Sequence, residues 1–204
     1  MKQIVLPLCA CLTLIACSGS DDSVADDRRA VVDVVARGLT LEAPDSIRSG
    51  WTTFRFMNES PLTHFVVFER LPDGRTLEDS KRDVFPVFQD AMDLINQDRA
   101  SEGFAQFERF PAWFPDVVFW GGPGFLGPFK TGVTTVRMDP GTYVLECYVK
   151  TAGRFHSVDG MAVQLIVAEE ASAAPEPTAS ITLSLSAAGI DMQGAPIPGL
   201  HIVK

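Results

Sequence analysis

Cysteine, histidine and positive charge are scarce in this chain, and each scarcity excludes something. Among 204 residues there are four cysteines, three histidines and two tyrosines. Three of the cysteines, Cys9, Cys11 and Cys17, crowd the N-terminus, which leaves Cys147 alone in the rest of the chain. Neither a disulfide-stapled scaffold nor a paired-cysteine zinc site is open to such a chain. Lysine and arginine total 17 against 26 acidic residues, a net charge of −9, which argues against a nucleic-acid partner. Hydrolytic signatures are also missing: there is no Gly-x-Ser-x-Gly elbow and no His-Glu-x-x-His helix. The Gly/Pro-rich stretch Gly121-Gly122-Pro123-Gly124 lacks the Lys-Ser/Thr that would make it a phosphate cradle. The reading is therefore of a protein that is not an enzyme.

What is present begins with an export signal. Lys2 provides a positive start, and Ile4 to Ala16 form an apolar run too short to span a bilayer. The run ends in Leu14-Ile15-Ala16-Cys17, which resembles a bacterial lipobox. Residues 1–16 are thus expected to be a signal peptide and Cys17 the lipidated first residue of the mature chain. Two or more acyl chains anchor stably, so the membrane becomes a partner through the N-terminal lipid. Ser18 follows Cys17, unlike the Asp of an inner-membrane retention signal. That favours the outer membrane, facing the periplasm. Residues 17–29 read as an acidic tether.

From residue 30 the pattern is that of strands. Trp51 to Met57 alternates, with Phe54 and Phe56 on one face, and His64 to Phe68 is apolar on both faces, as in a buried sandwich strand. Further strands are expected over Val133–Met138, Gly141–Val149 and Met161–Val167. Residues 76–110 break the rhythm. Thr76 to Asp79 and Ser80 to Asp83 both have the form of a capping box, and Val84, Phe88, Ala91, Met92 and Ile95 recur at helical spacing. Pro86 is tolerable there only in a first turn. This segment is expected to be a helical insertion on a β-sandwich covering residues 30–168. Residues 169–179 read as an Ala/Pro/Glu-rich linker. Residues 180–204 echo the domain's beginning: Gly189-Ile190-Asp191-Met192 parallels Gly38-Leu39-Thr40-Leu41. They read as the start of a second, truncated repeat.

His64, Cys147, His156 and Met161 together make a soft ligand set of two imidazoles, one thiolate and one thioether. Around them stand Phe56-Met57-Asn58 before His64, Pro140-Gly141-Thr142-Tyr143 before Cys147, and Gly160-Met161 ahead of a closing strand. This framework resembles the cupredoxin family, most of all a two-repeat, lipoprotein-type group with a helical insertion and a Gly-Gly-Pro loop. The resemblance covers roughly residues 31–168. It implies a mainly β, Greek-key sandwich holding one copper ion. His64 would come from a remote strand, Cys147 would supply the thiolate, His156 the second imidazole and Met161 the axial thioether. A redox protein would be the expected partner, with electron transfer or copper handling in the cell envelope as the function.

The departure from the family lies in spacing. Its second His usually stands two to four residues beyond the Cys, whereas here eight residues intervene between Cys147 and His156. Extending a flexible loop that far costs only ~1 kcal/mol in closure entropy, while a metal site can yield ~10 kcal/mol. Entropy therefore does not decide the matter; geometry does. Either the loop folds back, or it holds His156 in solvent. Each residue also has a plain alternative: Cys147 shares a face with Tyr143 and Leu145, Met161 with Val163 and Leu165, and His64 with Val66 and Phe68. A metal-free interaction module on the same fold is the competing expectation.

Overall fold

The computed structural model describes residues 31–197. The signal segment, Cys17, the acidic tether and His201 lie outside the described residues. Chain order gives β1 (Val31–Arg37), β2 (Thr40–Glu42), β3 (Ser46–Asn58) and β4 (Val67–Arg70). Three helices follow, α1 (Leu77–Asp83), α2 (Phe85–Ile95) and α3 (Ala100–Gln106), with 3-10 turns at Phe107–Arg109 and Phe114–Asp116. Strands resume with β5 (Val118–Gly121), β6 (Thr131–Met138), β7 (Gly141–Glu146), β8 (Lys150–Thr151) and β9 (Arg154–Phe155). The last are β10 (Ala162–Ala171), β11 (Thr182–Ser186) and β12 (Gly189–Gln193). The protein is mainly β with a helical insertion, as expected.

The sandwich arises because β3 changes partners midway. Its start, Ser46 to Ser49, runs parallel to β10, whereas Thr53 to Asn58 run parallel to β1 and antiparallel to β6. Gly50 sits at the switch with φ +104°, a conformation that any other residue would adopt only under strain. One sheet therefore contains β2, β1, β3 and β6, and the other runs β3, β10, β7, β4, β5. Alternation then fills the space between them. Phe54, Phe56, Phe68, Met138, Tyr143, Leu145 and Leu165 are fully buried. Each such large side chain contributes about 1.5–3 kcal/mol of burial, enough to pin the register of its strand.

The helical insertion covers the outer face of the second sheet. Val144 and Ala162 from that face join Leu71, Leu77, Val84, Phe85 and Val117 in a second apolar cluster. The first capping box forms as expected: the Thr76 side chain and backbone both engage Asp79 at the start of α1. The second does not, because Ser80 lies buried inside α1, and α2 opens instead with Pro86 in its first turn. Phe88, Phe110 and Phe114 lie at ring-centroid distances of 4.2–5.8 Å, Phe110 stacked on Phe114 and Phe88 tilted or edge-on to both, and pack as core.

Two expected boundaries shift. The buried run from His64 is a strand only from Val67 onward; ahead of it, His64 makes an isolated bridge to Leu126. At the far end β10 continues to Ala171, because Ala168 and Ala171 still pair with β3. The Ala/Pro/Glu composition after residue 168 therefore conceals three more residues of strand. Beyond it, β11 and β12 pair with each other and with no other strand among the described residues.

Candidate metal centre

His64 is seated by its surroundings rather than by a regular strand. His64 and Leu126 exchange backbone hydrogen bonds, and the Val66 amide donates to the Pro123 carbonyl. The Gly/Pro-rich loop must approach closely to do this. A Cβ on Gly122 would lie 2.1 Å from the Val66 carbonyl oxygen, so only glycine fits. Asn58, at the end of β3, ties the turn together. Its amide donates to the carbonyls of Leu62 and Gly127, and its oxygen accepts from the Ser60 amide. Ser60 Oγ in turn meets His64 Nε2 at 2.8 Å.

Cys147 follows directly on β7, and the eight-residue gap to His156 is taken up by a small hairpin. Strands β8 and β9 pair antiparallel, with Ala152 and Gly153 at the tip, both at positive φ. That is the backbone of a tight two-residue hairpin turn. The hairpin returns the chain so that the His156 amide donates to the Val149 carbonyl at 2.9 Å. The extra length leaves the site instead of distorting it. His156 ends 1 % exposed, so the outcome in which it sits in solvent is set aside. Met161 closes the loop: its amide donates to the His156 carbonyl, and its carbonyl accepts from the Cys147 amide. Met161 is fully buried in the same core cluster as Cys147.

The resulting geometry is compact. His64 Nδ1 lies 3.1 Å from His156 Nδ1, and Cys147 Sγ lies 3.7 Å and 3.6 Å from those two atoms. The point equidistant from all three falls about 2 Å from each, against roughly 2.0–2.3 Å for metal–imidazole and metal–thiolate bonds. The far nitrogens are also occupied: His64 Nε2 by Ser60, and His156 Nε2 by Thr151 Oγ1 at 2.8 Å. Both Nδ1 atoms are thereby aimed inward, as outer hydrogen bonds do for metal-binding histidines. The donor set fits a soft metal such as copper and suits magnesium or calcium poorly.

Electrostatics follow from burial. Desolvation holds His64 down to about 4, with the neighbouring His156 adding to the effect. Desolvation lowers His156 as well, and it pushes the Cys147 thiol up. At neutral pH both rings are neutral and the thiol keeps its proton, so metal binding must release that proton.

Sequence reasoning missed the groups that hold the ligands. Ser60 and Thr151 carry no local signature. Gln89 of α2 is further removed: its amide donates to the Gly153 carbonyl at 2.8 Å and accepts from the Phe155 amide at 2.9 Å, clamping the hairpin. Asp93, one turn on, pairs with Lys150 at 2.6 Å. A faint signal existed, since Gln89 and Asp93 are polar residues four apart on one face of a helix whose only other polar residue is Asp90.

No protein-family model matches the sequence, and no curated protein matches it. Among solved structures the chain resembles reduced auracyanin from Roseiflexus castenholzii, with 17 % identity and TM-score 0.42, over 68 % of this chain and 97 % of that one. It also resembles auracyanin A, a "blue" copper protein from Chloroflexus aurantiacus, with 17 % identity and TM-score 0.43, over 69 % and 99 %. Rusticyanin from Thiobacillus ferrooxidans matches with 16 % identity and TM-score 0.40, over 69 % and 78 %. What the cluster can bind follows from its own geometry; that geometry, one thiol and two imidazoles converging in a β-sandwich, is consistent with a cupredoxin site.

Proposed function

We propose that this is a cupredoxin-like protein of the cell envelope that holds one copper ion for single-electron transfer or copper handling. The observation that carries the reading is the convergence of His64 Nδ1, His156 Nδ1 and Cys147 Sγ in a buried triangle. Met161, buried in the same core cluster as Cys147, would add a thioether to the donor set. Copper supplies a one-electron couple between its two oxidation states. The protein supplies stiffness: Cys147 is fixed at a strand end, and each imidazole is held on its far side. Reorganisation on gaining or losing an electron is then small.

Electrons need a route outward, and aromatic side chains mark one. The Phe65 backbone hydrogen-bonds to Cys147, and the Phe65 ring lies 4.9 Å from Phe125 and 4.5 Å from Tyr148. Phe125 is 73 % exposed, so this cluster reaches from the thiolate to an apolar surface suited to a redox protein partner. Leu14-Ile15-Ala16-Cys17 supports anchoring by lipid at Cys17, at the outer membrane facing the periplasm. Mass spectrometry of the mature protein tests that: a diacylated N-terminal Cys17 is expected, and an unmodified chain beginning elsewhere rejects it.

Copper(II) titration followed by optical and EPR spectra tests the site. An intense visible thiolate-to-copper band is expected at one equivalent. The competing reading, a metal-free module, has its own support, because the three groups lie within hydrogen-bonding distance of one another. A colourless protein that takes up no copper decides for that module.

A further inference from the structure

His64 and Cys147 are fully buried and His156 is 1 % exposed, so nothing reaches their ligand atoms unless part of the fold opens. The segments that cover them are not equally fixed. His64 and its turn are held by the paired backbone bonds to Leu126, by the Val66–Pro123 bond and by Asn58. Cys147 and Met161 stand at the ends of β7 and β10, which pair over six residues. The stretch from Tyr148 to Phe155 is different in kind. None of its residues is buried, although Cys147 before it and His156 after it are. Its two strands, β8 and β9, pair only with each other among the described residues. A segment with so little buried surface belongs to the part of a fold that opens at least cost.

What holds this segment shut comes from one helix. Gln89 of α2 engages Gly153 and Phe155 with opposite ends of a single side-chain amide. Asp93, one turn on, accepts from the Lys150 ammonium at 2.6 Å and from the same Gln89 amide at 2.8 Å. Both strands are thus tied to α2, β8 through Lys150 and β9 through Phe155. The remaining polar links stay within the loop: Thr151 with His156, the His156 amide with the Val149 carbonyl, and Arg154 with Asp159. Val149 and Phe155, its apolar members, are only half-buried. Few other contacts oppose an outward swing.

We propose that the β8–β9 hairpin is the gate to the metal centre and that α2 latches it through Gln89 and Asp93. The identity of the ion rests on the copper-binding reading above; the latch does not. Opening carries Thr151 off His156 Nε2 and uncovers Cys147 Sγ, and closing restores both.

The test uses the full metal-free protein and two rates. One is alkylation of Cys147 by iodoacetamide, a neutral probe, read on the Cys147 peptide by mass spectrometry. The other is the growth of the visible band after rapid mixing with copper(II). Gln89→Ala removes both amide contacts and should raise the two rates by the same factor, at least about tenfold. Asp93→Asn removes only the ion pair and should raise them about twofold to fivefold. Hydrogen exchange shows where the fold opens: the amides of Lys150 to His156 should exchange faster in both variants, and those of β7 and β10 should not change. Faster exchange in β7 and β10 means general loosening and overturns the latch, as does an unchanged alkylation rate in Gln89→Ala. Alkylation that rises while copper uptake does not overturns the gate, since the ion then enters elsewhere. A parent protein that takes up no copper defeats the proposed function alone; alkylation and exchange still decide the latch.

Discussion

At the scale of single residues, the ligands and their supports make separable predictions. Cys147→Ser should remove the visible band of the copper-loaded protein, and His64→Ala should abolish the site or open it to water. His156→Ala should lower copper affinity by more than tenfold, which is ~1.4 kcal/mol. Unchanged affinity in a competition titration eliminates the four-ligand site. Met161→Leu should keep the ion but shift the reduction potential, because an axial thioether bond is long and weak. Ser60→Ala probes the outer shell. It leaves His64 Nε2 without its 2.8 Å partner, and affinity should fall about 10–100-fold while the colour persists. The three groups that converge, His64, Cys147 and His156, stood out in the sequence because cysteine and histidine are rare here and chemically distinctive. Ser60 and Thr151 did not, because a hydroxyl gains meaning only from the nitrogen it faces.

At the scale of elements, the β8–β9 hairpin and its clamp decide where His156 goes. Ala152 adopts φ +51° beside Gly153 at φ +86°, and a non-glycine residue held there costs roughly 1–2 kcal/mol. Ala152→Gly should relieve part of that, stabilising the protein by ~0.5–1 kcal/mol in urea denaturation. A loss of stability would contradict the turn assignment. Gln89→Ala should act oppositely, since it strips partners from both the Gly153 carbonyl and the Phe155 amide. A cost of ~1–3 kcal/mol is expected, together with faster copper loss than in the parent. The helical insertion was readable from its spacing and its first capping box. Its purpose was not, because the contact joins residues 64 positions apart. Gly122 teaches the same lesson. Its loop is legible in the sequence as a Gly-Gly-Pro element, but only the fold sets Gly122 against the Val66 carbonyl.

At the scale of the whole molecule, two buried groups of titrating residues pull stability in opposite directions with pH. His64 is lowered to about 4 in the fold. Its contribution is therefore present above the ordinary histidine value of about 6.5 and is lost as pH falls toward 4. Glu69 and Glu146 are raised by burial. Their contribution is present below the ordinary glutamate value of about 4.3 and is lost as pH rises through the raised values. Glu146→Gln removes the share of the second loss that Glu146 carries, so thermal melts of the metal-free protein should show a gain at pH 8 of on the order of 1–2 kcal/mol that shrinks toward pH 5. A gain equal at both pH values would refute this account. By itself the sequence determined the β-sandwich, the place of the insertion and which residues are candidate ligands. Those depend on alternation, helical spacing and donor chemistry, which are local properties written in neighbouring residues. Only the tertiary structure decided that His156 is buried beside His64 and Cys147, and that α2 holds the hairpin between Cys147 and His156 in place. Loop length limits where a residue can reach, but packing against a distant helix chooses among the places within reach.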